Sequence, residues 1–428
     1  MAVARHIDIE PWMRAPSTRA VMAALSAGGG EARFVGGCVR DTILGSAVRD
    51  IDIATHEPPD RVIRLLEDAG IKAIPTGIAH GTVTAVVGEE HFEITTLRVD
   101  VKTHGRRAEV AFTDDWGEDA ARRDFTINAL SLTETGELYD PFGGLEDLAA
   151  GRVRFVGDAE TRIREDVLRL LRFFRFFAYY GRPPPDRQAL AAVKKLAPLV
   201  PTLSGERVWA ELIRLLQAPD PAAIFRLMAD QGVAEHVFPE GISLDRLAAL
   251  SEVEAAHGIA GEASDPLRRL AALAGSGPGR AEGLAERLRL SRKDRERLVK
   301  MTGSGDMVAS GQSPRQAHAA IYRLGNALYR DVVFLAWAAE RAEGSGGPAA
   351  DAGFGAALET AAIWPRPELP IRGEDALNMG LAPGPAVGRA VAAVEAWWVA
   401  EDFAPDREAC LERLRETVED GGPGAETP

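Results

Sequence analysis

The chain has 428 residues, 46% hydrophobic and 27% charged, which allows two to four domains and offers no run of about 18 apolar residues to cross a membrane. Its net charge of −14 argues against a passive nucleic-acid coat, yet leaves room for a nucleic-acid substrate, because phosphate contacts depend on local patches. Two cysteines, Cys38 and Cys410, with no C-x-x-C pair, argue against a disulfide framework or zinc finger and fit a reducing cytoplasm.

The opening M-A-V-A-R-H-I-D-I-E lacks the apolar core of a signal peptide. A helix is predicted over Ser17 to Ala27, stopped by Gly28-Gly29-Gly30. A-R-F-V reads as a short buried strand that runs into the turn G-G-C-V-R-D (Gly36 to Asp41), and D-I-D-I-A as a second strand. A helix from Pro59 to Ala69 is stopped by Gly70. T-V-T-A-V-V-G and H-F-E-I-T-T-L-R form a hairpin around Gly88-Glu89-Glu90. The first ~145 residues thus read as an α+β domain with a mixed or antiparallel sheet, lacking the βαβ rhythm of a Rossmann fold.

Beyond about Leu145 the pattern is helical. One helix covers Thr161 to Tyr180 and ends before Pro183-Pro184-Pro185. Others follow at Glu206 to Gln217, Pro221 to Asp230, Ala281 to Leu290 and Pro314 to Leu324. The Gly/Ala-rich stretch Gly344 to Gly355 reads as a linker, and Pro383-Gly384-Pro385 precedes an apolar helix containing Trp397-Trp398. The terminal E-T-V-E-D-G-G-P-G-A-E-T-P reads as disordered.

Asp50 and Asp52, in R-D-I-D-I, carry the most chemistry. At i and i+2 on a strand both carboxylates face one way, about 5–7 Å apart at their roots, and repel unless a cation sits between them. Mg²⁺ takes oxygen ligands and borrows some from a substrate phosphate. In the turn Gly36 to Asp41, which ends nine residues before Asp50, Gly36 and Gly37 let backbone N–H groups approach an anion, and Arg40 can grip a phosphate from the side. Together these outline a site for a metal-bound nucleoside triphosphate. Glu93, in F-E-I-T-T-L-R, is either a solvent-facing strand residue or a third carboxylate that helps hold metal or deprotonate an attacking hydroxyl.

R-R-D-F-T-I-N-A-L (Arg122 to Leu130) joins charges to an apolar stretch, either as a structural salt bridge or with Arg123 on the triphosphate and Asp124 on ribose hydroxyls. In E-D-V-L-R-L-L-R-F-F-R-F (Glu165 to Phe176), Asp166, Arg169, Arg172 and Arg175 recur every third residue and wind round the helix. The intervening Leu and Phe leave little solvated face, so such an arginine ladder needs anionic or hydrogen-bonding partners. An Asp acceptor beside an Arg donor matches the amino and ring-nitrogen edge of cytosine and adenine and mismatches uracil and guanine. Asp166 and Arg169 are the expected readers, selecting CTP and ATP, with Arg172 and Arg175 orienting them or touching phosphate.

These segments together resemble the class II nucleotidyltransferases, the family of CCA-adding tRNA nucleotidyltransferases and bacterial poly(A) polymerases. F-V-G-G-C-V-R-D-T-I-L-G with R-D-I-D-I-A looks like the catalytic motif of that family, R-R-D-F-T-I-N-A-L like its ribose motif, and E-D-V-L-R-L-L-R-F-F-R-F like its amino-acid template. S-G-E-R-V-W-A-E-L (Ser204 to Leu212) resembles the helix that closes the neck. The resemblance spans roughly residues 30–216. It implies a mixed-sheet catalytic head (1–145), then an all-α neck (146–220), body (221–343) and tail (356–428), the last two holding tRNA. It implies a flexible loop at Val99 to Thr113, containing T-H-G-R-R, and nucleotide contacts from Gly37, Arg40, Arg123, Asp166, Arg169, Arg172 and Arg175, with metal on Asp50 and Asp52. No His-Asp dipeptide occurs, so the phosphohydrolase activity of some relatives is not expected.

The expected reaction adds C, C and A to the tRNA 3′ end from CTP and ATP, with Mg²⁺ as cofactor and neither DNA nor membrane as partner. I-P-T-G-I-A-H-G-T-V-T (Ile74 to Thr84) looks more like the CCA-adding branch than like poly(A) polymerases. A poly(A) polymerase, a partial CC-adding or A-adding enzyme and a non-catalytic RNA-binding protein are the alternatives.

Overall fold

The computed structural model describes residues 3–104, 107–258, 264–275 and 277–419. Two compact units divide at Pro239 and Glu240.

The first unit is built on an eight-stranded sheet. In chain order its strands are β1 (Arg5–His6), β2 (Ala32–Val35), β3 (Ile51–Thr55), β4 (Lys72–Gly77), β5 (Thr82–Val87) and β6 (Glu90–Thr96), then, after a separate ribbon of β7 (Arg98–His104) and β8 (Arg107–Phe112), β9 (Ser131–Leu132) and β10 (Glu137–Tyr139). The spatial order is β1-β10-β9-β2-β3-β6-β5-β4, and the sheet is mixed: β3 and β6 run parallel, and every other named pair is antiparallel. Period-two alternation sorts the faces. Phe92 and Ile94 are fully buried with Val83, Ala85, Ile53 and Phe34, while Glu93 between them is exposed. β5 and β6 form the expected hairpin, with Gly88 at φ 63° in its turn.

Helices pack on this sheet as their patterns dictate. Pro16–Ser26 ends just before the triple glycine, and Pro59–Asp68 ends at Gly70, which adopts φ 73°. The segment expected as a loop at Val99 to Thr113 is mostly the β7–β8 ribbon, and its Gly105 and Arg106 lie outside the described residues.

Four helices matter for the site: α1 (Gly37–Ile43), α2 (Ala159–Glu165), α3 (Leu168–Tyr180) and α4 (Gly205–Leu216). The single helix predicted over Thr161 to Tyr180 is in fact two. Asp166 takes an extended backbone (φ −148°, ψ 106°), and its Oδ1 accepts the Leu168 N–H at 3.2 Å, so a local side-chain bond competes with the helical ladder and restarts it.

Every named element among the described residues of the second unit is a helix. The linker expected at Gly344 to Gly355 is not one: a helix runs Pro348–Ile363, starting on its proline and burying Phe354, Ala357 and Ala361. A Cβ on Gly353 would lie 1.8 Å from the Ser310 carbonyl oxygen, so glycine here allows close backbone approach rather than flexibility. The helix expected at Ala281 to Leu290 spans Pro278–Arg287. Pro314–Leu324 follows the predicted bounds, and Pro385–Ala400 carries the Trp397-Trp398 pair. Of the acidic terminus, Glu416 to Glu419 close the last helix, Arg407–Glu419, and the remainder lies outside the described residues.

Candidate active site

β2 delivers the chain to Gly36, which adopts φ 70° before α1 begins. A Cβ there would stand 3.3 Å from Arg123 Nη1 and 3.6 Å from Asp52 Oδ2, so glycine is required both by the left-handed backbone and by the groups crowding it. Gly37 opens α1, and Arg40 lies one turn on. The Arg40 guanidinium is buried and fixed: Nε and Nη2 donate to Asp41 at 2.9 and 3.0 Å, Nη1 donates to Asn128 at 2.7 Å, and the Tyr180 ring lies 4.1 Å below.

Asp52 is the second residue of β3, and Asp50 immediately precedes the strand. The parallel register pairs Asp52 with Glu93 on β6, so the third carboxylate stands beside the first two although β4 and β5 intervene in sequence. The consequence is electrostatic. Burial raises the Asp52 pKa, Glu93 and Asp50 raise it further, and Arg123 and Arg40 only partly offset them, leaving it at about 6 against an ordinary 3.8. Carboxylates that repel in this way suit a hard cation with oxygen ligands. No cluster of three His, Cys, Asp or Glu able to enclose a metal occurs among the described residues. Mg²⁺ does not need one, since one or two carboxylates plus substrate phosphates suffice. The donor set of Asp50 and Asp52 fits that requirement.

A cleft of about 730 Å³ opens over these groups. Gly37, Arg40, Asp50 and Asp52 line one wall, with Arg175, Phe176 and Tyr180 of α3 and Arg214 of α4 opposite. Tyr180 donates to Asp41 at 3.4 Å, which ties the end of α3 to α1. Arg123, held by Asp119 at 3.0 Å, reaches Gly36 and Asp52 from the side.

Asp124 differs from expectation. It is buried, and its oxygens are engaged by Arg172, by Asn128 at 3.1 Å and by the Phe125 N–H at 2.9 Å. Instead of presenting a free face to a ribose, it serves as the counter-charge of Arg172. Asp166 and Arg169 do not pair side chain to side chain either: Asp166 accepts from Arg207 at 2.7 Å, and Arg169 donates to Glu165.

The arginine ladder finds a carboxylate for every rung. Arg169 has Glu165, Arg172 has Asp124, and Arg175 has Glu211 at 3.2 Å. Glu211 is buried on α4; burial pushes its carboxyl above the usual range, with Arg175 and Arg172 pulling it back. Glu211, Arg207 and Tyr180 were not among the expected site residues. For Arg207 and Glu211 the signal was present in S-G-E-R-V-W-A-E-L, where the two, four apart on one helix, complement a helix rich in arginine.

Residues 32–154 match the family model described as "Poly A polymerase head domain", and residues 185–244 the one described as "Probable RNA and SrmB- binding site of polymerase A". The human mitochondrial CCA tRNA nucleotidyltransferase 1 is 33% identical over 401 residues, covering 90% of this chain and 87% of the relative. A CCA-adding enzyme from Geobacillus kaustophilus is 41% identical over 207 residues, 48% of this chain and 50% of the relative. Among solved structures, the Bacillus stearothermophilus CCA-adding enzyme in complex with CTP aligns with a TM-score of 0.69 and 26% identity, covering 95% of this chain and 99% of that one. The Thermotoga maritima CCA-adding enzyme complexed with tRNA aligns with a TM-score of 0.67 at 20% identity, over 98% of this chain and all of that one, a likeness of fold.

Proposed function

Because this chain belongs to the CCA tRNA nucleotidyltransferase family, we propose that it extends the 3′ end of tRNA by C, C and A without a nucleic-acid template, using CTP and ATP and releasing pyrophosphate. The observation that carries this reading is the register that sets Asp52, which lines an arginine-rich cleft, beside Glu93. Asp50 and Asp52 would hold a divalent cation such as Mg²⁺, which would supply neutralisation of the charge that develops at the α-phosphate. Gly36 and Gly37 leave room for the triphosphate, and Arg40 and Arg123 offset its charge. Glu93 takes the proton of the terminal tRNA hydroxyl or completes the carboxylate set.

Selection of the base falls to α3. Asp166 and Arg169 present an acceptor and a donor at its start, and Arg172 and Arg175, backed by Asp124 and Glu211, hold the helix against the cleft. Presenting that pair to a base requires Asp166 to give up Arg207 and Arg169 to give up Glu165, so the free protein keeps its readers occupied until a nucleotide replaces those partners. The head, neck, body and tail boundaries implied by the resemblance are part of the same proposal. So is a cytoplasmic location, which suits two free, buried thiols.

A nucleotide-resolved extension assay tests the reading. Recombinant protein given tRNA that lacks its terminal CCA incorporates C, C and A and then stops. Open-ended A addition without use of CTP would replace it with a poly(A) polymerase, and arrest after CC, or acceptance only of tRNA ending in CC, with a partial enzyme.

A further inference from the structure

Glu165 and Arg162, neither of which faces the cleft, occupy the junction between the base-selecting and triphosphate-binding segments. Arg162 is buried. Its Nη1 donates to Glu165 Oε2, and its Nη2 donates to the backbone carbonyls of both Arg122 and Arg123, the second at 2.7 Å. Arg169, the expected base reader, shares the same Glu165 oxygen, donates to the Arg162 carbonyl at 2.9 Å and reaches the Arg122 carbonyl at 3.4 Å.

One carboxylate therefore bridges two guanidinium groups from opposite sides of the break at Asp166. Both groups converge on the carbonyls that follow the helix Trp116–Ala121, where no intrahelical donor remains. The next side chain along, Arg123, points back to Asp119 and Gly36 beside Asp52. A planar guanidinium can hold two carbonyls and a carboxylate at once in fixed directions, which an ammonium cannot.

We propose that Arg162 and Glu165 are positioning residues that couple recognition of the base at Arg169 to placement of Arg123 on the triphosphate. This deepens the function proposed above and rests on it. When the base matches, Arg169 is drawn from Glu165 toward the base edge, Glu165 is left to Arg162 alone, and the Arg122–Arg123 backbone is set for transfer. A mismatched base leaves Arg169 on Glu165 and the backbone unset. Wrong nucleotides are then rejected in kcat as well as in KM.

The test compares single-nucleotide addition of CTP and UTP by wild type, Arg162→Lys and Glu165→Gln, with thermal stability measured in parallel. Coupling predicts that the CTP-over-UTP ratio of kcat/KM falls about tenfold or more in both variants, mostly through kcat, while the KM for tRNA stays unchanged. If the pair is only structural, CTP and UTP use fall together and the ratio holds, which overturns the proposal. Should Arg162→Lys not fold, Glu165→Gln, which keeps every donor in place, decides the matter alone. Failure of the wild type to add C at all would instead sink the functional reading.

Discussion

Replacing Asp52 by Asn removes one carboxylate from a site where carboxylates repel, so the variant is inactive and, without metal, more stable. Asp52 has an ordinary pKa of 3.8 and one of about 6 in the fold. Between those values the folded protein keeps a proton that the unfolded chain has released, so stability falls as pH rises through this window and stays reduced above it. At about 1.4 kcal/mol for each pH unit, the full effect is at most about 3 kcal/mol; the partial exposure of Asp52 reduces it to about 1 kcal/mol. For a unit of this size, that corresponds to a melting-temperature difference of about 2–4 °C. Thermal denaturation in chelator from pH 4 to 8 is expected to show no difference between variant and wild type near pH 4 and the full difference above pH 6. Mg²⁺ should then raise the wild-type melting temperature at pH 7 and leave that of the variant in place. A variant less stable than wild type at pH 7, or a difference independent of pH, would refute the assignment of Asp52 as a strained carboxylate awaiting a cation.

Three further predictions concern glycines. Gly36→Ala forces a side chain into φ 70° and against Arg123, so kcat/KM for CTP should drop at least about tenfold; Gly283→Ala, in an open position on a helix, should leave activity intact and stabilise by about 0.5–1 kcal/mol. Gly353→Ala drives a Cβ into the Ser310 carbonyl and should cost about 2 kcal/mol or more, seen as a lower denaturation midpoint with CTP binding to the first unit unaffected.

Much of the head was legible because its physics is local. The alternation in H-F-E-I-T-T, the buried A-R-F-V and the glycine stops fixed strands and turns, and two aspartates two residues apart marked the edge proposed to hold a metal. The break at Asp166 was harder to see, since Asp sits within an otherwise strong helical pattern and one side-chain bond to Leu168 decides the outcome. Composition misled at Gly344 to Gly355, where small residues permit close helix packing instead of a flexible connection. Asp124 and Glu211 depended on long-range pairing. Nothing near either residue says which arginine it meets, and only the folded arrangement of α3 and α4 assigns Arg172 and Arg175 to them.

The one parallel pairing in the sheet has a consequence for assembly. β3 and β6 join only after the helix Pro59–Asp68 and the strands β4 and β5 have been laid down between them, so contact between Asp52 and Glu93 closes one of the long loops of the head. Local elements such as the β5–β6 hairpin can form early, whereas this contact carries the closure entropy of the whole crossover. A partly folded head thus keeps Glu93 apart from Asp50 and Asp52, and the full repulsion among the three carboxylates arises only when the sheet is complete. The three-carboxylate edge proposed to hold a metal is accordingly a property of the finished fold.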